Sequence, residues 1–306
     1  MMNRFWKFVL DAKYRFHVLT KIGLTNWMSD ELFLKVKYKT VFKKKLNLRD
    51  PKTYSEKIQW LKLYDRKDVY TQMVDKFEAK KYVANKIGME HIIPTLGVWE
   101  RFEDIDFSKM PDQFVLKTTH DSGSIIICKD KKTFDREKAR KVLEDSLKRN
   151  YYWANREWPY KNVKPRIIAE QYMVDESGTE LKDYKFFCFK GKPQLLFVAC
   201  DRSNHYEETK FNFYDMNFKM LPFTNGHPNA PADRIKKPST FEQMKKMASV
   251  LSEGFPELRV DFYQINGCVY FGELTFYHWS GFMPFDPPDW DERLGDMIDL
   301  PNKITK

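Results

Sequence analysis

The chain has 306 residues, enough for one large core or for two domains. At 42% hydrophobic and 16% aromatic it is too apolar to be disordered, although 31% of it is charged. A net charge of +10 calls for an acidic partner: a nucleotide, a nucleic acid, an anionic polysaccharide or an anionic membrane surface.

No stretch reaches the ~20 apolar residues that cross a bilayer. The basic, aromatic opening at residues 3–24 lacks the uninterrupted apolar run of a signal peptide. A soluble, cytoplasmic protein is expected, with the inner face of the membrane as the place its basic surface would favour. Cys128, Cys188, Cys200 and Cys268 form no CxxC pair, and each sits in a strand-like apolar run. Buried, reduced thiols are therefore expected. The six histidines have no metal-ligand spacing, which argues against a zinc site.

Residues 4–24 (RFWKFVLDAKYRFHVLTKIGL) read as one basic amphipathic helix. It either lies on an anionic membrane, with Lys43-Lys44-Lys45 adding attraction, or packs on the body with its lysines in water. Asp50-Pro51 breaks the chain, and a helix follows over residues 55–64. A single longer helix is expected over residues 69–87, stopped by Gly88. Residues 91–99 form a short extended segment around Pro94. Near Pro111 the texture turns from helical to strand-rich.

Phe114-Val115-Leu116-Lys117 is a strand ending in lysine. The polar loop Thr118-Thr119-His120-Asp121-Ser122-Gly123-Ser124 follows, then a returning strand at 125–128. Loop N–H groups and hydroxyls suit a phosphate, and the lysine supplies charge. With one glycine and no GxxxxGK[ST] spacing, a plain hairpin is the competing reading. Residues 133–148 are helical, and 166–173 form a buried strand carrying Glu170. Residues 183–189 and 194–199 are strands joined at Lys190-Gly191-Lys192-Pro193. Lys185, beside Asp183 on a half-apolar face, either snorkels to solvent or meets a phosphate. Residues 201–238 read as a long irregular loop, and 240–253 as an amphipathic helix.

Residues 258–281 (LRVDFYQINGCVYFGELTFYHWSG) are two β-prone runs around Asn266-Gly267, a hairpin signal. A two-residue turn would pair Asp261 with Gly272 and send Asp261 and Glu273 to opposite faces. A three-residue loop, Ile265-Asn266-Gly267, shifts the register by one. Arg259, Asp261, Glu273 and Thr275 then share one face, and Val260, Phe262, Leu274 and Phe276 form an apolar face fit for a core. Adjacent carboxylates on a sheet repel. Either Arg259 neutralises them on a solvated surface, or they grip a hard cation, Mg²⁺ or Mn²⁺.

The phrases FVLKTTHDSGS, IIAEQY, DYKFFCFKGKP and LRVDFY…YFGELTFYHWSG resemble the ATP-grasp superfamily. They are most similar to its TupA-like branch, associated with teichuronopeptide and capsular polysaccharide biosynthesis. The resemblance implies an α+β ATP-grasp fold, with two α+β lobes, a nucleotide cleft between them and an N-terminal helical region ahead. The corresponding segments are 1–66 (basic helical), 67–110 (lead-in), 111–172 (small lobe with the phosphate loop) and 173–306 (large lobe with the metal site).

It further implies that Lys117 contacts the α-phosphate and adenine side of ATP, and that Thr119, His120, Ser122, Gly123 and Ser124 cover the β- and γ-phosphates. Glu170, Gln171 and Tyr172 would read the adenine edge, and Asp183 or Glu176 would hold the ribose. Lys185 is a second phosphate ligand. Asp261, Glu273 and Thr275 are the metal ligands, Thr275 standing where the family often has asparagine. Arg259 is the catalytic cation. The cofactors are ATP and Mg²⁺, with Mn²⁺ as alternative.

The implied activity is ligation of a carboxylate to an amine through an acyl-phosphate. The carboxylate would be a uronic acid of a cell-surface polysaccharide or its precursor, and the amine an amino acid. A sugar-nucleotide glycosyltransferase is the alternative; Asp104-Ile105-Asp106 has the DxD letters but reads as a surface turn ahead of the strand-rich region. Nucleic acid is not an expected partner, since no RRM, helix-turn-helix or zinc-finger pattern is present.

Overall fold

In a computed structural model, residues 4–175, 181–200 and 209–303 are described, with side chains from residue 6. The elements in chain order are α1 (Arg4–Leu10), α2 (Ala12–Lys21), α3 (Asp30–Phe42), α4 (Tyr54–Tyr64), α5 (Asp68–Val74), α6 (Glu78–Ile87), β1 (Thr95–Trp99), β2 (Phe114–Thr118) and β3 (Ile125–Cys128). There follow α7 (Arg136–Leu147), α8 (Tyr152–Asn155), β4 (Ile167–Gln171), β5 (Asp183–Phe189), β6 (Lys192–Cys200) and β7 (Lys210–Asp215). The last are β8 (Thr224–Asn225), α9 (Phe241–Ser252), β9 (Glu257–Ile265), β10 (Cys268–Thr275), β11 (Phe285–Asp286) and α10 (Asp289–Asp296).

The expected single helix over residues 4–24 is two. Asp11 interrupts it, its carboxylate accepting from the N–H groups of Lys13 (2.9 Å) and Tyr14 (3.0 Å) and so capping α2. Phe16 packs with Phe33, Leu34 and Tyr38 of α3 and with Phe282, so the N-terminal helices sit on the body. α3, which the sequence pattern did not single out, starts at the Ser29 cap. α4 begins in a reciprocal capping box between Thr53 and Glu56.

The expected helix over residues 69–87 is also broken. Asp75 ends α5, and its Oδ1 accepts from the N–H groups of Phe77 (2.8 Å) and Glu78 (3.3 Å), restarting the chain as α6. Between them the Lys76 N–H donates to the Thr119 carbonyl at 3.0 Å. The helix gives up its continuity to contact the polar loop after β2.

Two larger antiparallel sheets and the short antiparallel pair β8–β11 make up the described strands. Of the larger sheets, one has four strands in the order β1-β4-β2-β3, the other five in the order β10-β9-β5-β6-β7. α7 packs Ala139 and Leu143 against Phe114, Leu116 and Ile167 of the small sheet. α9 covers one face of the large sheet with Phe241, Met244, Ala248 and Leu251 over Phe186, Val260 and Phe262. Each such buried side chain stabilises the fold by roughly 1.5–3 kcal/mol. The stretch 201–238 is less irregular than expected, since it contains β7 and β8; residues 201–208, and Glu176, lie outside the described residues. Cys128, Cys188 and Cys200 are buried free thiols, but Cys268, beside the tight turn, is exposed. Among the described residues no helix is long and apolar enough to cross a membrane.

The hairpin puts the expected side chains on each face, but by a different device and in a different register. Asn266 (φ +50°) and Gly267 (φ +74°) form a two-residue turn with both residues left-handed, and Cys268 pairs with Ile265. The register then slips at Gly272, so that Glu273 pairs with Asp261 and Thr275 with Arg259. The extra residue is a β-bulge, not a third loop residue. A Cβ at Gly272 would lie 3.1 Å from the Asp261 carbonyl oxygen, which is why glycine occupies the slip.

Candidate active site

With the bulge in place, Arg259, Asp261, Glu273 and Thr275 share the face opposite α9. The β9 part of that face is covered, with Asp261 fully buried and Arg259 7% exposed, while Glu273 on β10 remains partly open to solvent. Arg259 holds the cluster together. Its Nε and one terminal nitrogen bond the two Asp261 oxygens, both at 2.8 Å, and the same terminal nitrogen reaches Glu273 Oε1 (2.6 Å) and Thr275 Oγ1 (3.0 Å). Lys185, on neighbouring β5, pairs with Asp261 Oδ2 and stands 3.4 Å from Asp183. Burial opposes the charge on Glu273, but Lys185, Arg259 and Lys76 outweigh it and hold the carboxyl at about 2.

The remaining Arg259 nitrogen donates to His278 Nδ1 at 2.9 Å, and His278 Nε2 donates to the Asn225 amide oxygen at 3.0 Å. Asn225 is fixed in turn by donating to the Met283 and Pro284 carbonyls. Burial and the adjacent Arg259 drive the imidazole well below its ordinary pKa, so His278 is neutral and accepts from the guanidinium. Just beyond, Trp279 and Ser280 adopt left-handed φ of +48° and +56°. From α4, Gln59 and buried Lys62 donate to the Ser280 carbonyl at 3.0 and 2.7 Å, tying that turn down. Sequence reasoning did not find His278 or Asn225. The only signal was that His278 follows the metal-ligand phrase by three residues.

A cavity of about 410 Å³ opens between the two sheets. Val115, Ile125 and Ile127 of the small sheet line one wall, while Gln171, Tyr172 and Met173 lead out of β4 along another. Ile125 and Ile127 are 46% and 53% exposed, which makes this wall an open apolar platform. Lys117 and Glu170 stand together at the cavity. Glu170 accepts from Lys117 (2.5 Å) and from Lys80 of α6 (2.6 Å). Burial works against its charge, but the two ammonium groups prevail and keep it at about 2.

The polar loop after β2 is held by its own side chains. Its Asp121 carboxylate accepts from the hydroxyls of Thr118, Ser124 and Ser146. His120 Nε2 donates to the Ser146 and Arg149 carbonyls at 3.1 and 3.2 Å. Thr119, His120 and Ser124 are buried, whereas Ser122 and Gly123 are exposed at the tip. Lys76 donates to the Asp121 carbonyl oxygen from below. Lys76 and Lys80 are cations that the sequence reading missed, because the break that delivers them was read as continuous helix.

The donor set suits a hard cation. Arg259 and Thr275 both bond Glu273 through Oε1, and the side chain is 44% exposed. Among the described residues no three His, Cys, Asp or Glu side chains could hold a metal alone. Mg²⁺ commonly takes one or two carboxylates and completes its shell with phosphate oxygens and water; Asp261 and Glu273 would supply the two, Asp261 by sharing oxygens that here bond Arg259 and Lys185. The Asp104-Ile105-Asp106 sequence has other duties: Asp104 pairs with Arg101 at 2.5 Å, and Asp106 caps the following turn.

A family model described as TupA-like ATPgrasp matches residues 56–299. Comparison with curated proteins gives no match. Among solved structures, the D-alanine–D-alanine ligase from Bacillus anthracis complexed with ATP is 16% identical, with a TM-score of 0.38, over 67% of this chain and 55% of that one. The Helicobacter pylori D-alanine–D-alanine ligase is 14% identical, with a TM-score of 0.38, over 72% and 61%. The ATP-grasp ligase PsnB, complexed with a precursor variant, Mg and ADP, is 8% identical, with a TM-score of 0.42, over 84% and 65%. The chain thus spans between about half and two thirds of the length of these three structures.

Proposed function

The chain belongs to the TupA-like ATP-grasp family, and from that premise we propose that it is an ATP- and Mg²⁺-dependent carboxylate–amine ligase. In this reading a carboxylate takes the γ-phosphoryl group of ATP, and an amine displaces phosphate from the resulting acyl-phosphate. The carboxylate is a uronic acid of a cell-surface polysaccharide or its precursor, and the amine is an amino acid or a similar molecule. The observation that carries the proposal is the bulge-set pairing of Asp261 with Glu273 around Arg259.

The chemistry asks for cations wherever anions meet. Val115, Ile125 and Ile127 would hold the adenine, with Gln171 and Tyr172 at its edge. Lys117, Lys185, Ser122 and Gly123 would meet the phosphates, and Asp183 the ribose. Mg²⁺ held by Asp261 and Glu273 would supply Lewis-acid polarisation of the phosphoryl oxygens. Arg259, kept rigid by His278, would face the negative charge that develops as the amine attacks. Removing one such donor typically costs ~2.7–4 kcal/mol of transition-state stabilisation.

The test is Glu273→Gln, a substitution that keeps shape and hydrogen bonding. The variant is expected to keep its circular dichroism and bind ATP, yet to lose turnover by about a hundredfold or more. Turnover is read as ADP release that requires both a uronic acid and an amine. Tight binding of sugar nucleotides with ATP ignored would overturn the ligase reading.

A further inference from the structure

Two more cavities lie on the other side of the polar loop, and they share His17 and Lys37. One, of about 480 Å³, runs between α2 and the segment 149–155 and reaches Ser122 at the loop tip. The other, of about 440 Å³, continues past Lys37 to Trp279 and Phe282. Much of the wall comes from residues 7–41, ahead of residue 56 where the family match begins, so this chain builds the groove with its own N-terminal helices.

The charges in the groove differ in kind from those of the polar centre. Arg259, Lys185, Lys117 and Lys80 each pair with a carboxylate. Among the described residues, Lys21, Lys37 and Arg149 make no such pair. Lys37 donates to the Ala154 carbonyl at 3.1 Å and to the Asn155 amide oxygen, and Arg149 donates to the Asp145 carbonyl at 2.9 Å. Of the two carboxylates in the walls, Asp121 is turned inward to three hydroxyls and Asp11 accepts from the Lys13 and Tyr14 N–H groups. A concave surface with unpaired cations focuses an attractive field on an anion.

Flat rings line the same groove: Tyr151 and Trp153 at one end, and Trp279, 40% exposed, at the other. Rings of this kind offer an apolar face with a polar tip, a surface that the C–H face of a pyranose can cover. At the inner end Tyr151 stands in the wall together with Asp121 and Ser122 of the polar loop.

We propose that this groove is the acceptor subsite of the ligase and takes an anionic saccharide, with Lys21, Lys37 and Arg149 meeting its carboxylates and Trp279 stacking on a ring. The assignment rests on the ligase reading above. Its dimensions fall within the roughly 300–1,000 Å³ of ordinary ligand sites.

Titration calorimetry on the full chain tests it, with a glucuronate tetrasaccharide, a neutral glucose tetrasaccharide and inorganic pyrophosphate as ligands, and ADP binding measured on the same protein. The acidic saccharide is expected to bind about tenfold or more tightly than the neutral one, and to weaken as salt screens the groove. Lys21→Glu with Arg149→Glu should lower that affinity by about tenfold or more while ADP affinity is kept. Equal binding of the neutral sugar, equal binding of pyrophosphate, or indifference to the charge reversal would overturn the assignment. Wild-type protein that binds ADP and not the acidic saccharide overturns the groove alone. Failure to bind ADP as well refutes the ligase reading beneath it.

Discussion

Replacing Lys80 by methionine isolates one half of the Lys80–Glu170–Lys117 triad. The side chains of Lys80 and Glu170 are 11% and 8% exposed, so their interaction is little screened by water. A carboxyl held at about 2, against the ~4.3 of a free glutamate, represents roughly 3 kcal/mol of stability at neutral pH. Two ammonium groups supply it, and burial holds the Lys80 ammonium itself below its ordinary pKa, which offsets part of the gain. Losing one should therefore remove about 1–2 kcal/mol, equivalent to a fall in Tm of roughly 2–3 °C in a chain of this length. Methionine keeps most of the aliphatic stem and limits the packing loss. Urea unfolding of wild type and Lys80→Met at pH 7 measures the difference directly. Because the folded-state pKa is depressed, the contribution of Glu170 is complete above the unfolded pKa and is lost as pH falls from ~4.3 toward ~2. The gap between the two proteins should narrow over that interval. A Lys80→Met variant as stable as wild type at pH 7, or a deficit that stays constant down to pH ~3, would refute the reasoning.

Gly272→Val should cost about 1–3 kcal/mol through the clash with the Asp261 carbonyl, and should abolish turnover by driving Glu273 out of register; melting curves and ADP release measure the two effects, and unchanged activity would mean that the bulge does not set the site. Under native conditions a maleimide should label Cys268 alone, because Cys128, Cys188 and Cys200 are buried and burial pushes the Cys188 thiol up to about 12; peptide mapping by mass spectrometry identifies the labelled position.

The facing of the large-sheet hairpin was legible because Val260, Phe262, Leu274 and Phe276 must share one apolar side whatever the turn does. The register was not, because a glycine inside a strand marks a bulge only when the pairing partner is known, and the slip at Gly272 brings Glu273 opposite Asp261. Lys117 and Glu170 stood out as charges on otherwise apolar strands. Lys76 and Lys80 did not, since lysines on an amphipathic helix ordinarily face water. What removes them from that class is Asp75, whose side chain satisfies the backbone of the next turn and so permits an interruption that no glycine or proline announces. His278 and Asn225 act through each other across 53 residues of chain, a distance that no local pattern bridges. The loop after β2 was recognised as polar, but polarity alone did not reveal that Asp121 would spend its carboxylate on three neighbouring hydroxyls.

A sheet that sets two carboxylates shoulder to shoulder ordinarily depends on some visitor to keep them there. Here the visitor's role is already filled from within, by a guanidinium on the same strand as one acid and an ammonium on the strand beside it. The architecture therefore stands complete on its own. On the proposed reading, a divalent ion arriving with its nucleotide would meet a cradle that is shaped in advance, and would have only to share the oxygens, not assemble them.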